Sequence, residues 1–130
     1  MNILVAYDGT KEAKEAARLA VKHAKAFNGR VILAYSMVGG PEIPRKEFDR
    51  AEKELQSQEI TLKEEGIAYE TLLSVRGRET GEDIVKIAEE KNAEEIVIGV
   101  QRKSKVGKLL FGSTAQYIIL NAPCPVVTVR

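Results

Sequence analysis

Between Gly99 and Thr114 the chain carries the residue types that hold a phosphate. Gly99 follows the apolar run Ile96-Val97-Ile98, the cations Arg102, Lys103, Lys105 and Lys108 come next, and Gly112-Ser113-Thr114 then opens a helical pattern. A helix N-terminus presents main-chain N–H groups that lack intrahelical acceptors, together with a partial positive charge, so it attracts oxyanions. Gly112 lets an anion approach the backbone, the Ser113 and Thr114 hydroxyls add donors, and the basic loop adds charge. The segment reads as a phosphate cradle. Its bland alternatives are a solvated basic loop and an ordinary helix cap, and the adjacency of the two features favours the cradle.

Other chemistries lack their residues. With one histidine and one cysteine the chain has no Cys/His cluster for zinc, and no G-x-S-x-G elbow marks a hydrolase nucleophile. Gly99 and Gly107-Lys108 are too far apart for a P-loop, with Leu109 at its Ser/Thr position, and no G-x-G-x-x-G occurs. An aspartate-phosphorylation switch needs an acidic pair after the first strand and an acceptor aspartate after the third. Asp8 stands alone, and Val75-Arg76-Gly77 occupies the other place. His23 sits one step off an apolar stripe and reads as a boundary residue. Cys124, between Pro123 and Pro125, reads as a packing residue. No residue is assigned a catalytic or metal-binding role.

The elements that position the cradle alternate in type. Apolar runs of strand length lie at 3–7, 31–37, 70–75, 95–100 and 125–129. Between the first two, Ala13, Ala16, Ala17, Ala20, Val21, Ala24 and Phe27 recur at helical spacing, and Asn28-Gly29 ends the pattern. Residues 45–65 form a charged surface helix with Phe48, Ala51, Leu55, Ile60 and Leu62 on one side, stopping at Gly66. Thr80-Gly81-Glu82-Asp83 has the form of a capping box before Ile84, Val85, Ile87 and Ala88. A fourth helix runs from Ser113 to about Leu120, ended by Asn121 and Pro123. Such alternation predicts α/β: a doubly wound parallel sheet of five strands with helices on both faces, because parallel strands need right-handed crossovers. Ligands then bind beyond the carboxyl ends of the strands, which singles out Asp8-Gly9-Thr10 and the basic loop. Asp8-Gly9 is also ordinary turn chemistry, able to cap the first helix.

A length of 130 residues suits one domain over 1–130. The 20 basic and 19 acidic residues nearly cancel, so no global charge favours nucleic acid or an anionic membrane. Without an apolar signal or spanning run, and with a single cysteine, the expectation is a cytoplasmic protein.

The opening ILVAYDGTKEAKEAARLAVKHA, the segment EDIVKIAEE, and G-x-x-R-x9-G-S followed by NAPCPVVTV together resemble the universal stress protein family over essentially the whole chain. In nucleotide-binding members of that family a G-x-x-G-x9-G-[S/T] motif holds ATP phosphates and an aspartate after the first strand contacts the nucleoside. The resemblance implies a strand order of 3-2-1-4-5 and a site for ATP, with Mg2+ able to accompany it, in a binding switch of the stress response. It places the nucleoside against Ala6, Tyr7, Asp8 and Ser36, and the phosphates on Gly99, Arg102, Gly112, Ser113 and Thr114.

Arg102 departs from the motif, which has glycine there. A side chain at that point could occupy the phosphate's space, or its planar fork could bind the phosphate. Contact is the reading adopted. The family also contains members that bind no nucleotide, so the alternative is a nucleotide-free dimeric adaptor that meets partner proteins. The implied order leaves residues 125–129 at a sheet edge without charge or interior proline, a segment suited to pairing with its own copy in a homodimer.

Overall fold

The computed structural model describes residues 1–39, 42–101 and 112–130. In chain order these form β1 (Asn2–Ala6), α1 (Lys11–Phe27), β2 (Arg30–Ser36), α2 (Arg45–Glu64), β3 (Ala68–Ser74), α3 (Thr80–Glu90), β4 (Glu95–Gly99), α4 (Ser113–Asn121) and β5 (Val126–Val129). The strands make one sheet in the order β3-β2-β1-β4-β5, parallel throughout. The expected doubly wound architecture is therefore the observed one.

β1 lies at the centre, paired Leu4 to Ile32 on one side and Leu4 to Ile96 on the other. Because strand side chains alternate, its two faces feed two cores. Ile3, Val5 and Tyr7 pack with the alanines of α1 and with Leu55 and Leu62 of α2. Leu4, Ile32 and Ile96 pack with Ile84 and Ile87 of α3 and Ile118 of α4. Ile3, Leu4 and Val5 are fully buried, each side chain contributing about 1.5–3 kcal/mol.

α1 starts where Thr10, in extended conformation, accepts the Ala13 N–H on its hydroxyl, 3.2 Å away. It ends at Asn28, whose left-handed φ of 52° lets Gly29 N–H reach the Ala24 carbonyl at 2.8 Å. The buried face of α1 is alanine at 13, 16, 17, 20 and 24, so its backbone lies close on the sheet.

Three local expectations are corrected. Phe27 is 61% exposed and Ile60 62% exposed, so neither belongs to its helix's apolar face. Phe27 falls in the last turn, edge-on to His23 at 6.1 Å between ring centroids, and the buried row of α2 is Ala51, Leu55 and Leu62. The capping box at 80–83 does not form: Glu79 is the N-cap, without a side-chain cap, and Asp83 N–H bonds its carbonyl at 2.9 Å. Thr80 is thereby already inside the helix. The Asp83 carboxylate instead turns inward to Ser36 and Arg76.

Candidate functional site

Side-chain size along the sheet opens a cavity. On the face toward α3 and α4, the large Leu4 and Ile32 are followed two residues later by Ala6 and Ala34, and β2 then ends in Ser36. The space so left measures about 290 Å³, close to the lower end of the roughly 300–1,000 Å³ usual for ligand sites. Ile84, Ile98 and Ile118 supply apolar wall, while Asp8, Ser36, Thr80, Gln101, Gly112 and Thr114 supply polar groups. It stands at the carboxyl ends of β1, β2 and β4, where the chain crosses from the β2 side of β1 to the β4 side, the switch point of such sheets.

Of the residues singled out in the sequence, Ala6, Tyr7, Asp8, Ser36, Gly99, Gly112 and Thr114 line this space. Ser113 does not. It lines a shallower neighbouring groove with Glu79, Gly81, Glu82, Thr114 and Tyr117, because successive residues in the first turn of α4 face different ways. Arg102, with Lys103, Lys105 and Lys108, lies outside the described residues.

Tyr7 contributes its main chain rather than its ring. The ring belongs to the opposite core, stacks edge-on to Tyr35 at 6.3 Å, and donates its hydroxyl to Glu54 Oε2 at 3.1 Å. Burial first, then the Glu54 carboxylate, raises its pKa well above the usual phenol value, so it stays protonated. Asp8 is exposed at the rim. Its Oδ1 accepts from the Thr10 N–H at 3.0 Å and the Thr10 hydroxyl at 2.6 Å, while Thr10 itself is the helix cap. The turn role of Asp8 is thus to hold the capping residue, and Oδ2 has no protein partner among the described residues.

The motif glycines differ in what requires them. A Cβ on Gly99 would lie 2.4 Å from the Glu12 carbonyl carbon and 2.7 Å from the Ala13 nitrogen, so only glycine lets α1 cross β4 there. Gly112 has an ordinary backbone, φ −64° and ψ 165°, and a Cβ on it would meet nothing within 4 Å among the described residues. Neither strain nor packing against the described residues explains it. α4 also starts without a side-chain cap and without an acidic residue in its first turn, and Gly112, Thr114 and Ala115 at this end line the cavity.

The polar floor was missed by sequence reading. Ser36 donates its hydroxyl to Asp83 Oδ2 at 2.6 Å, and Asp83 is only 1% exposed. Arg76, just after β3, donates Nε and Nη2 to Asp83 Oδ1 at 3.0 and 2.8 Å, and Nη1 to Glu90 Oε1 at 2.8 Å. Burial alone would push the Asp83 carboxyl up, but the hydrogen bonds from Ser36 and Arg76, with the Arg76 charge, hold it below the usual aspartate value. The Ser74 hydroxyl is buried near this carboxylate and adds to the same lowering, though it lies outside hydrogen-bond geometry with any described group. One signal was available: Asp83 and Ile87 are four apart, so an α-helix puts them on one inward face. Among the described residues, no group of three His, Cys, Asp or Glu could hold a metal.

A parallel sheet ordered 3-2-1-4-5, helices on both faces and a half-apolar crevice at the switch point define a doubly wound α/β protein. The model of the universal stress protein family matches residues 1–130, and the chain belongs to that family. It is 34% identical to a universal stress protein of Thermus aquaticus, over 98% of this chain and 97% of that one. Among solved structures, a universal stress protein from Archaeoglobus fulgidus superposes with a TM-score of 0.84 at 31% identity, covering 99% of this chain and 91% of that one. The universal stress protein from Archaeoglobus fulgidus in complex with dAMP gives 0.81 at 29% identity, covering 99% and 95%. No helix of the described residues is long and apolar enough to cross a membrane.

Proposed function

We propose that this chain is a cytoplasmic, single-domain binding protein for an adenine nucleotide, ATP with Mg2+ foremost, acting as a switch in stress response without catalysing a reaction. The observation that carries this reading is the cavity at the switch point, where Asp8, Ser36, Gly112 and Thr114 surround one space of about 290 Å³. The relative of 29% identity, solved with dAMP, supports the same ligand class. The nucleoside lies between the alanine-lined sheet face and Ile84, Asp8 Oδ2 accepts from its hydroxyls, and the phosphates lie on the α4 N-terminus and Arg102. Asp8 is the one carboxylate in the described cavity wall and is already engaged by Thr10, which favours binding over activation of water. The test is calorimetric titration with ATP and magnesium, and the reading fails if millimolar ATP produces neither heat nor a rise in melting temperature.

A second reading, a nucleotide-free dimeric adaptor, is favoured by one surface. Leu120 is 81% exposed on α4, Tyr117 and Ile119 are exposed beside it, and the next element, β5, is the open edge of the sheet. Nucleotide absorbance in the purified protein separates the readings. Dimerisation through 125–129 is compatible with both.

A further inference from the structure

The floor of the cavity is a hydroxyl whose proton is already committed. Ser36 caps the polar end of β2, on the same sheet face as Ala34, and lines the cavity. Its hydroxyl donates to Asp83 Oδ2 at 2.6 Å. Asp83 cannot reciprocate: Arg76 places two donors on Oδ1, and an ionised carboxylate carries no proton to give. Arg76 is itself fixed by Glu90, so in the chain Glu90–Arg76–Asp83–Ser36 the arginine donates both ways and Asp83 only accepts. Ser36 therefore offers the cavity lone pairs only.

We infer that Ser36, polarised by Asp83 and Arg76, is a specificity residue that selects a purine bearing a ring amino group over one bearing a ring oxo group. This deepens the nucleotide reading and rests on it. An amino group at the purine 6-position donates to Ser36 without disturbing the chain. An oxo group there would oppose the Ser36 lone pairs, and relieving this would require turning the hydroxyl away from Asp83, at the loss of the 2.6 Å hydrogen bond to a buried carboxylate. The cost falls on the oxo ligand alone. The low carboxyl pKa of Asp83 keeps this polarity fixed at neutral pH.

The geometry also gives a way to reverse the polarity. In Asp83→Asn the two Arg76 donors demand the amide oxygen at the Oδ1 position. The amide nitrogen then stands 2.6 Å from the Ser36 oxygen, where it must donate, and the hydroxyl proton is released to the cavity. The amino ligand loses its acceptor and the oxo ligand gains a donor.

The experiment is calorimetric titration of AMP and IMP, which differ at the purine 6-position, into the wild-type protein, Ser36→Ala and Asp83→Asn, with far-ultraviolet circular dichroism to verify each fold. Wild type should prefer AMP by roughly tenfold to a hundredfold. Ser36→Ala should bring the two affinities together, mainly by weakening AMP, and Asp83→Asn should move the preference toward IMP. If Asp83→Asn does not fold, Ser36→Ala alone decides. Equal binding of AMP and IMP by the wild type, or an AMP preference that survives Ser36→Ala, overturns the inference while the nucleotide reading stands. Absence of binding by both monophosphates overturns the inference, and only absence of ATP binding as well removes the nucleotide reading with it.

Discussion

Gly99 and Glu12 are in such close approach that a Cβ on the glycine would stand 2.4 Å from the Glu12 carbonyl carbon and 2.5 Å from its oxygen. The first glycine of the phosphate-like motif is thus required by the crossing of α1 over β4, whatever ligand the motif holds. Gly99→Ala should cost about 1–3 kcal/mol in urea unfolding, as overpacked cores do. Gly112→Ala should leave stability within about 0.5 kcal/mol, since nothing described lies within 4 Å of the new methyl. Equal stabilities for the two variants would contradict this division.

Acid should expose the Arg76–Asp83 pair. The Asp83 carboxyl titrates below its usual value in the folded protein, and an unfolded aspartate titrates near about 3.9. Its contribution is complete above that value and is lost as pH falls through the folded one. Arg76→Ala leaves a buried carboxylate uncompensated. Stability at neutral pH should drop by about 3 kcal/mol, the low end for broken buried pairs because the Arg76 side chain is 37% exposed. Urea midpoints from pH 2 to 7 would show a shallower acid decline in the variant than in the wild type, and parallel curves would refute the assignment.

Ligand binding should appear as stability. A nucleotide that binds only the folded state adds RT ln(1 + [L]/Kd), about 2.7 kcal/mol at a hundred times Kd. ATP with magnesium should raise the melting temperature, and Asp8→Ala should reduce the rise. Since Asp8 also holds Thr10 at the start of α1, the melting temperature of the ligand-free variant is the necessary reference.

Arg102 tests which of two physical effects of a side chain wins. If it contacts the phosphates, Arg102→Ala should weaken ATP by about 1–3 kcal/mol and leave adenosine nearly unchanged. Tighter ATP binding by Arg102→Gly would mean that the arginine obstructs.

The edge strand should pair with its own copy. Ile96 N–H bonds the Pro125 carbonyl at 3.0 Å and Val100 N–H bonds the Val129 carbonyl at 2.7 Å, so residues 125, 127 and 129 turn to β4. By alternation Val126 and Thr128 turn their N–H groups outward. Thr128→Pro removes an outward donor and should give a monomer with an intact core, whereas Val127→Pro should damage the sheet itself. Sedimentation at tens of micromolar decides, and a monomeric wild type would sink the proposal.

The strands and helices were legible in the chain because period-two and period-3.6 apolar patterns survive without tertiary information, and alternation of the two forces a parallel sheet. Asp8 and the Gly112-Ser113-Thr114 helix start were legible too, since turn and N-terminal chemistry is local. Tertiary structure decided what each residue is for. Gly99 answers to the backbone of Glu12, 87 positions earlier, and Asp83, which looked like a cap, answers to Ser36 and Arg76 across two other elements. The cavity itself comes from a step in side-chain size shared by Ala6 on β1 and Ala34 on β2, residues that become neighbours only by register. Local patterns encode local backbone geometry. Close approach, buried hydrogen-bond polarity and empty volume are properties of pairs distant in sequence, so the sequence carries them and only the folded chain displays them.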